Sequence, residues 1–410
     1  MFRKLLTIEE AKKTVQRHFK PQAVGTEQVP LLQATGRVLA ENIIAPFNVP
    51  PFDRSTVDGY AVRAEDTFGA EENHPVQLKL AGTMSIGELP KIRIARGEAA
   101  EIVTGAPTPR GADAVVMSEH TERTDNMIRI YDPVAKDQNV MKASSDIKKG
   151  QQLLTICQPL GSREIGMIAA IGRPAVKVYK IPAVAVLSTG SEIADAGKKL
   201  APGKIYDINA YTLSSAVIEA GGTSINLGVV QDDLQQLQKK LRSALAQADM
   251  VITSGGVSVG PRDIMPRAVN TLGKPGTIIN GISIKPGKPT TIASINGKPI
   301  FCLPGHPASA LLTMHLLARP MIQQLAGKKP EQPLQTTAYA TTRLFPAKGR
   351  RTYVMVTLKH DKTGRQAAEP LPTSQSGAIT TLAKADGYIE IPENTQFIEK
   401  NEECTVQRFR

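Results

Sequence analysis

The chain has 410 residues, more than one hydrophobic core usually serves, so about two to four domains are expected. Fifty Lys and Arg against 38 Asp and Glu leave a formal net charge of +12, a surface field suited to anionic partners. Aromatic residues make up 4% of the chain, Trp is absent and no basic run alternates with stacking residues, which argues against nucleic acid. No stretch reaches the roughly 18 uncharged apolar residues of a membrane span, and the start, MFRKLLTIEEAKK, turns polar before a signal-peptide core could form. Cys157, Cys302 and Cys404 are scattered without a C-x-x-C pair, so neither a disulfide framework nor a zinc knuckle is expected, and the expected location is cytoplasmic.

Thr7 followed by Glu10 reads as a capping box, and Ile8, Ala11, Val15 and Phe19 then share one helical face until Pro21. From about Pro46 to Tyr131 short Val/Ile-bearing runs are broken by Gly and Pro, as in VQLKLAG and ADAVVM, which predicts a β-rich module. Between about Pro182 and Lys328 the periods alternate. AVAVLST is a buried-strand run, Leu213, Ala216, Val217 and Ala220 mark a helix, SINLGVV a strand, Leu234, Leu237, Leu241, Ala244 and Leu245 a helix, and DMVITSGG another strand. A further helix, carrying Ala310, Leu311, Met314 and Leu317, follows PIFCLPG. This alternation predicts a three-layer α/β domain with a mostly parallel sheet. After KKPEQP, strands such as TYVMVTLKH and GYIEIPE predict a small β-barrel or sandwich.

In such a sheet ligands bind beyond the carboxyl ends of the strands, so the loops STGSEI, QDDL, SGGVSVGPRD and LPGHPASA should converge. Gly255 and Gly256 let backbone N–H groups approach an oxyanion, although the same glycines could merely form a tight turn. Asp233 and Asp263 could be helix caps. Glu192, Asp232 and Asp263 on one rim beside a phosphate cradle instead favour oxygen ligands for a hard divalent cation, Mg²⁺. Lys285 and Lys288 in KPGKP suit a tetrahedral dianion, or a solvated loop. PPFDRSTVDGYAV could be hairpin chemistry at Asp58-Gly59, and IVTGAPTPRGADAVV loop punctuation; the residues alone assign neither segment. His18, His74, His120, His306, His315 and His360 show no metal spacing, and no G-x-S-x-G elbow or Cys/His nucleophile pair appears.

Taken together, PFDRSTVDGYAV, VTGAPTPRGADAVV, STGSE, ITSGGVSVGPRD, KPGKP and LPGHP resemble, in order and approximate spacing, the molybdopterin molybdenumtransferase family of the bacterial MoeA proteins and the gephyrin E domain. The resemblance covers nearly the whole chain. It implies a split extended domain over 1–46 and 141–180, an inserted β-rich domain over 47–140, a molybdopterin-binding α/β domain over 181–327 and a C-terminal β-barrel over 328–410. The implied activity is insertion of molybdate into adenylylated molybdopterin with Mg²⁺-dependent release of AMP, in a homodimer supplied by a molybdopterin adenylyltransferase.

By the same resemblance Asp58 and Thr104 face the cleft from the other subunit, while Glu192, Asp232 and Asp263 form its Mg²⁺-linked acidic part. Pro304 and Pro307 shape the floor, and Lys285 and Lys288 with Ser258, Arg350 and Ser376 hold molybdate. His306, Ser191 and Val57 depart from the family's usual Asn, Asp and Met. Two other functions are implied less directly: the preceding adenylyltransferase activity, because the α/β domain alone resembles that family, and a non-catalytic scaffold of the gephyrin kind.

Overall fold

The computed structural model describes residues 5–257, 264–329, 334–362, 364–372 and 379–409. Helix α1 (Ile8–Phe19) starts on the expected capping box. Glu10 N–H donates to Thr7 Oγ1 at 3.1 Å and Thr7 N–H to the Glu10 carboxylate at 2.8 Å. It ends at Lys20, which takes the left-handed conformation one residue before Pro21. Its apolar face does not serve the extended N-terminal module. Ile8, Ala11 and Val15 are buried with Val184, Leu213 and Ile322, so α1 packs into the core of the α/β unit.

That module is built from both halves of the chain. Thr26–Pro30 pairs antiparallel with Ala175–Tyr179 and Ile43–Ile44 with Gln152–Leu154, around a core of Leu39, Ile43, Leu160, Ile168 and Val176. Between the halves lies one six-stranded sheet of β1 (Gly59–Val62), β2 (Val76–Met84), β3 (Glu98–Ile102), β4 (Ala114–Met117), β5 (Thr121–Thr124) and β6 (Met127–Ile130), in the order β4-β1-β3-β2-β6-β5. Only glycine fits at the head of β1, because a Cβ on Gly59 would lie 1.9 Å from the Val116 carbonyl oxygen of the neighbouring strand. The sheet has its own core of Tyr60, Val62, Leu78, Ile128 and Ile130.

The α/β unit contains β7 (Ala183–Thr189), α2 (Asn209–Glu219), β8 (Thr223–Val230), α3 (Leu234–Gln247), β9 (Met250–Ser254), β10 (Pro275–Asn280), β11 (Ile284–Lys285), β12 (Thr291–Ile295), β13 (Lys298–Leu303), α4 (Pro307–Thr313) and α5 (Arg319–Leu325). Its sheet runs β8-β7-β9-β13-β12-β10; the first four strands are parallel and β12 is antiparallel to both its neighbours. Period-two alternation covers both faces. Val184 and Val186 pack with Leu213 and Val217 of α2 on one side, and Ala185 and Leu187 pack with Leu237 and Leu241 of α3 on the other. Between α4 and α5 the helix widens into a π-type segment at Met314–Ala318, just before Pro320, which has no N–H to continue the ladder.

The last unit is a closed barrel of β14 (Gln335–Ala340), β15 (Arg351–His360), β16 (Gln366–Pro370), β17 (Gly387–Ile391) and β18 (Glu403–Arg408), ordered β15-β16-β14-β18-β17 and closed by β17 pairing with β15. It is fused to the α/β unit in two ways. Strand β11 adds to the edge of β15 in parallel, with Lys285 opposite Thr352, and Tyr353, Met355 and Tyr388 join the core that holds α1. Arg351 reinforces the seam, bonding Glu9 of α1 together with Glu390 (2.9 Å) and Glu393 (3.1 Å) of the barrel. Among the described residues no helix is long and apolar enough to cross a membrane.

Candidate active site

The loops after the four parallel strands do converge. Gly190 N–H donates to Val230 O at 3.2 Å, joining STGSE to the end of β8, and Gly255 N–H donates to Leu303 O at 3.2 Å, joining SGG to the end of β13. The packing leaves no room for a side chain at Gly255. A Cβ on Gly255, whose φ is +88°, would stand 2.3 Å from Thr189 O, and one on Gly305 would stand 3.7 Å from Gly255 Cα. Backbone therefore faces backbone where the SGG and LPGHP turns meet, with the Gly255 N–H spent on Leu303 O.

The two aspartates of QDDL divide their work. Asp233 is the N-cap of α3, accepting from Gln236 N–H at 2.8 Å, whereas Asp232 is exposed and has no hydrogen bond or ion pair with any described residue. Glu192 is likewise exposed and outside any ion pair; its carboxylate lies over Gly190, where a Cβ would be 2.7 Å from Oε1. These are hard oxygen donors without a cationic partner, on two loops joined by the Gly190–Val230 hydrogen bond, of the kind that could contribute to holding a divalent cation. Among the described residues no group of three His, Cys, Asp or Glu side chains forms a complete ligand set by itself. Ser258, Asp263 and Ser376 lie outside the described residues.

KPGKP lies at the seam between the α/β unit and the barrel. Gly287, at φ +113°, is pressed against α4, since a Cβ there would be 2.7 Å from Thr313 Cγ2, and Thr290 Oγ1 donates to Gly287 O at 2.7 Å. Lys285 is exposed and Lys288 half-buried, and neither is in an ion pair among the described residues. Arg350 borders this turn: Ser283 Oγ donates to Gly349 O at 3.3 Å and Arg351 N–H to Ser283 O at 3.2 Å. Pro304 is buried in the turn after β13, and Pro307 is the first residue of α4. His306, the α4 N-cap position, makes no side-chain capping bond.

Asp58 and Thr104, 46 residues apart, meet. One carboxylate oxygen of Asp58 accepts from Thr104 N–H at 2.6 Å and from Thr104 Oγ1 at 2.8 Å. Those bonds, the backbone one first, hold the Asp58 carboxyl below its ordinary range. Asp58-Gly59 is thus a ligated carboxylate at the head of β1 and not the turn of a hairpin. The pair is exposed on the separate β sheet, and no hydrogen bond or ion pair among the described residues joins it to the strand-end loops. A polar pair outside the motifs singled out in the sequence also stands behind those loops. Asp207 accepts from Ser188 Oγ (3.0 Å) and Ala210 N–H (2.9 Å), and Asn209 donates to Ser254 Oγ (2.6 Å) and Gly305 O (2.7 Å). The only signal in the sequence, an Asp and an Asn ahead of an apolar helix, reads equally as capping.

Three consecutive regions match known families: 6–172 the MoeA N-terminal region (domain I and II), 185–324 the probable molybdopterin binding domain, and 337–409 the MoeA C-terminal region (domain IV). A Bacillus subtilis molybdopterin molybdenumtransferase is 33% identical over 410 residues, spanning 99% of this chain and 94% of the relative. One from Haemophilus influenzae is 32% identical over 409 residues, spanning 99% of each. Among solved structures, a Pyrococcus horikoshii MoeA protein is 41% identical with a TM-score of 0.87, covering 99% of this chain and 100% of its own. Similarity above 30% identity along the full length, with the three matched regions in one order, means that the chain belongs to the MoeA family.

Proposed function

We propose that this chain is a molybdopterin molybdenumtransferase of molybdenum cofactor biosynthesis, inserting molybdate into adenylylated molybdopterin with Mg²⁺-dependent release of AMP. The observation that carries this reading is the set of side chains left unpaired around the strand ends. Glu192, Asp232, Lys285 and Lys288 all lack ion-pair partners among the described residues. Carboxylates and ammonium groups without internal partners are free to serve a metal-bound phosphate and an oxyanion.

In this reading the Gly255–Gly256 backbone receives the adenylate phosphate, with Pro304 and Pro307 below it. Glu192, Asp232 and Asp263 would hold the Mg²⁺, which supplies charge neutralisation at the phosphoanhydride. Lys285 and Lys288, with Ser258, Arg350 and Ser376, hold molybdate beside the dithiolene. The protein's part is orientation and electrostatic complementarity, with no covalent enzyme intermediate. The working unit is a homodimer in the cytoplasm, with Asp58 and Thr104 of one subunit completing the cleft of the other and an adenylyltransferase delivering the substrate. Its domains are the split extended domain over 1–46 and 141–180, the inserted β-rich domain over 47–140, the α/β domain over 181–327 and the C-terminal barrel over 328–410.

The test is reconstitution. Purified protein, pterin-adenylate, Mg²⁺ and molybdate should restore activity to a molybdoenzyme freed of its cofactor, with no ATP consumed. Consumption of ATP with accumulation of pterin-adenylate would assign the adenylyltransferase activity instead, and no reaction of either kind would leave a scaffold.

A further inference from the structure

Asn209 opens α2 and is 9% exposed, with its amide spent entirely as a double donor. Nδ2 donates to Ser254 Oγ at 2.6 Å, at the end of β9, and to Gly305 O at 2.7 Å, in the turn after β13. Ser254 relays the link, its hydroxyl donating to Pro304 O at 3.2 Å. Two consecutive carbonyls of the LPG turn are thereby tied to the SGG loop through one side chain. Asn209 Oδ1 is buried and accepts from no described residue. The amide cannot be turned over, because that would set Oδ1 against the Gly305 carbonyl oxygen.

Helix α2 does not need this amide. Its first turn is already served by Asp207, whose carboxylate accepts from Ala210 N–H at 2.9 Å and from Ser188 Oγ of β7 at 3.0 Å. The amide instead ties two strand-end turns together, a link that lies outside the capping of the helix. What it secures is the spacing of two glycine turns: Gly255 N–H on Leu303 O at 3.2 Å, and a virtual Gly305 Cβ at 3.7 Å from Gly255 Cα.

We infer that Asn209 is a positioning residue of the ligand cleft, holding the Gly255–Gly256 loop and the Pro304–Gly305 turn at the separation that receives the pterin-adenylate. The identity of that ligand rests on the proposed function; the positioning itself does not. Asp207 performs the companion task for the end of β7, so the short segment Asp207-Ile208-Asn209 registers three parallel strands against one another. Losing the double donor loosens the two turns locally and weakens the ligand that bridges them, while KPGKP, anchored on β15 and Thr313, keeps its grip on molybdate.

The experiment uses the full chain with Asn209→Asp, nearly the same shape but, when ionised, without a donor. Hydrogen exchange is measured first without substrate. Amides of Gly255, Gly256 and His306 should exchange about tenfold faster or more, with the β1–β6 sheet unchanged. In AMP release, KM for pterin-adenylate should rise at least about tenfold while molybdate half-saturation stays within about threefold. Ser254→Ala, which keeps the bond to Gly305 and loses the relay to Pro304, should fall between wild type and Asn209→Asp, and it stands in if the aspartate variant does not fold. Unchanged exchange at these amides in both variants overturns the inference, as does an equal loss of affinity for both ligands with a uniformly destabilised chain. If wild type releases no AMP, the proposed function fails, and the exchange measurement still decides the positioning role.

Discussion

At the scale of single residues, charge state follows from immediate neighbours. Asp58 is exposed, yet two bonds from Thr104 hold its carboxyl down, the backbone N–H contributing more than the hydroxyl. Thr104→Val keeps the N–H and removes the hydroxyl, so the Asp58 pKa should rise part of the way to an ordinary carboxylate. A ¹³C carboxyl titration reads this directly, and an unchanged Asp58 would mean that the hydroxyl is not a donor in solution. Because the folded pKa is depressed, the stability this pair supplies is present at neutral pH and is lost as pH falls through the folded value.

His315 shows the opposite case of a depressed base. Burial, with the positive charge of Arg319 second, lowers its pKa to about 4, and its ring centroid lies 4.9 Å from that of Phe409 with the planes tilted by 49°. Arg319 Nη1 lies 3.3 Å from Nδ1 and can only donate, so Nδ1 accepts and the ring is neutral. Between about pH 6.5 and pH 4 the unfolded chain takes a proton that the folded chain refuses, so stability falls as pH drops through that window, by on the order of 2–3 kcal/mol. His315→Gln should flatten the melting temperature across those pH values relative to wild type; parallel curves for the two proteins would show that His315 is not buried neutral.

At the scale of elements, what could be read from the chain was whatever repeats with a local period. Val184 and Val186 against Ala185 and Leu187 announced a strand covered on both faces, and the Thr7–Glu10 box announced α1 to the residue. What could not be read depended on partners far along the chain. The apolar stripe of α1 says that it will be buried but not under which module, and Asp58 next to Gly59 looks like a turn until Thr104 arrives from 46 residues away. Asn209 was missed for the same reason, since its partners Ser254 and Gly305 belong to two other strand ends. The glycines of the SGG loop were ambiguous between turn and cradle; the structure gives Gly255 both a left-handed φ and a backbone carbonyl in the way of any Cβ. Gly255→Ala should therefore cost about 1–3 kcal/mol and abolish AMP release, because Thr189 O is strand backbone and cannot move aside. A folded variant with wild-type melting temperature and turnover would show that the loop is slack.

At the scale of the whole molecule, the fused α/β unit and barrel carry the strand-end loops and KPGKP, while Asp58 and Thr104 sit on a sheet with a separate core. That separation motivates the proposed shared cleft. Mixing Asp58→Ala with Lys288→Ala chains should recover part of the activity, since a hybrid dimer contains one cleft with neither lesion; verified subunit exchange without recovery would place both residues in the cleft of one chain.

The most direct measurement is AMP release from pterin-adenylate against molybdate concentration at saturating Mg²⁺, for wild type and Lys288→Ala. Release should require molybdate and saturate with it. In the variant, loss of one charge-assisted contact of about 1.5–3 kcal/mol should raise half-saturation by about one to two orders of magnitude, with pterin-adenylate affinity changed far less. AMP release that proceeds equally without molybdate, or a half-saturation unmoved by Lys288→Ala, would contradict an oxyanion-coupled transferase at this cleft.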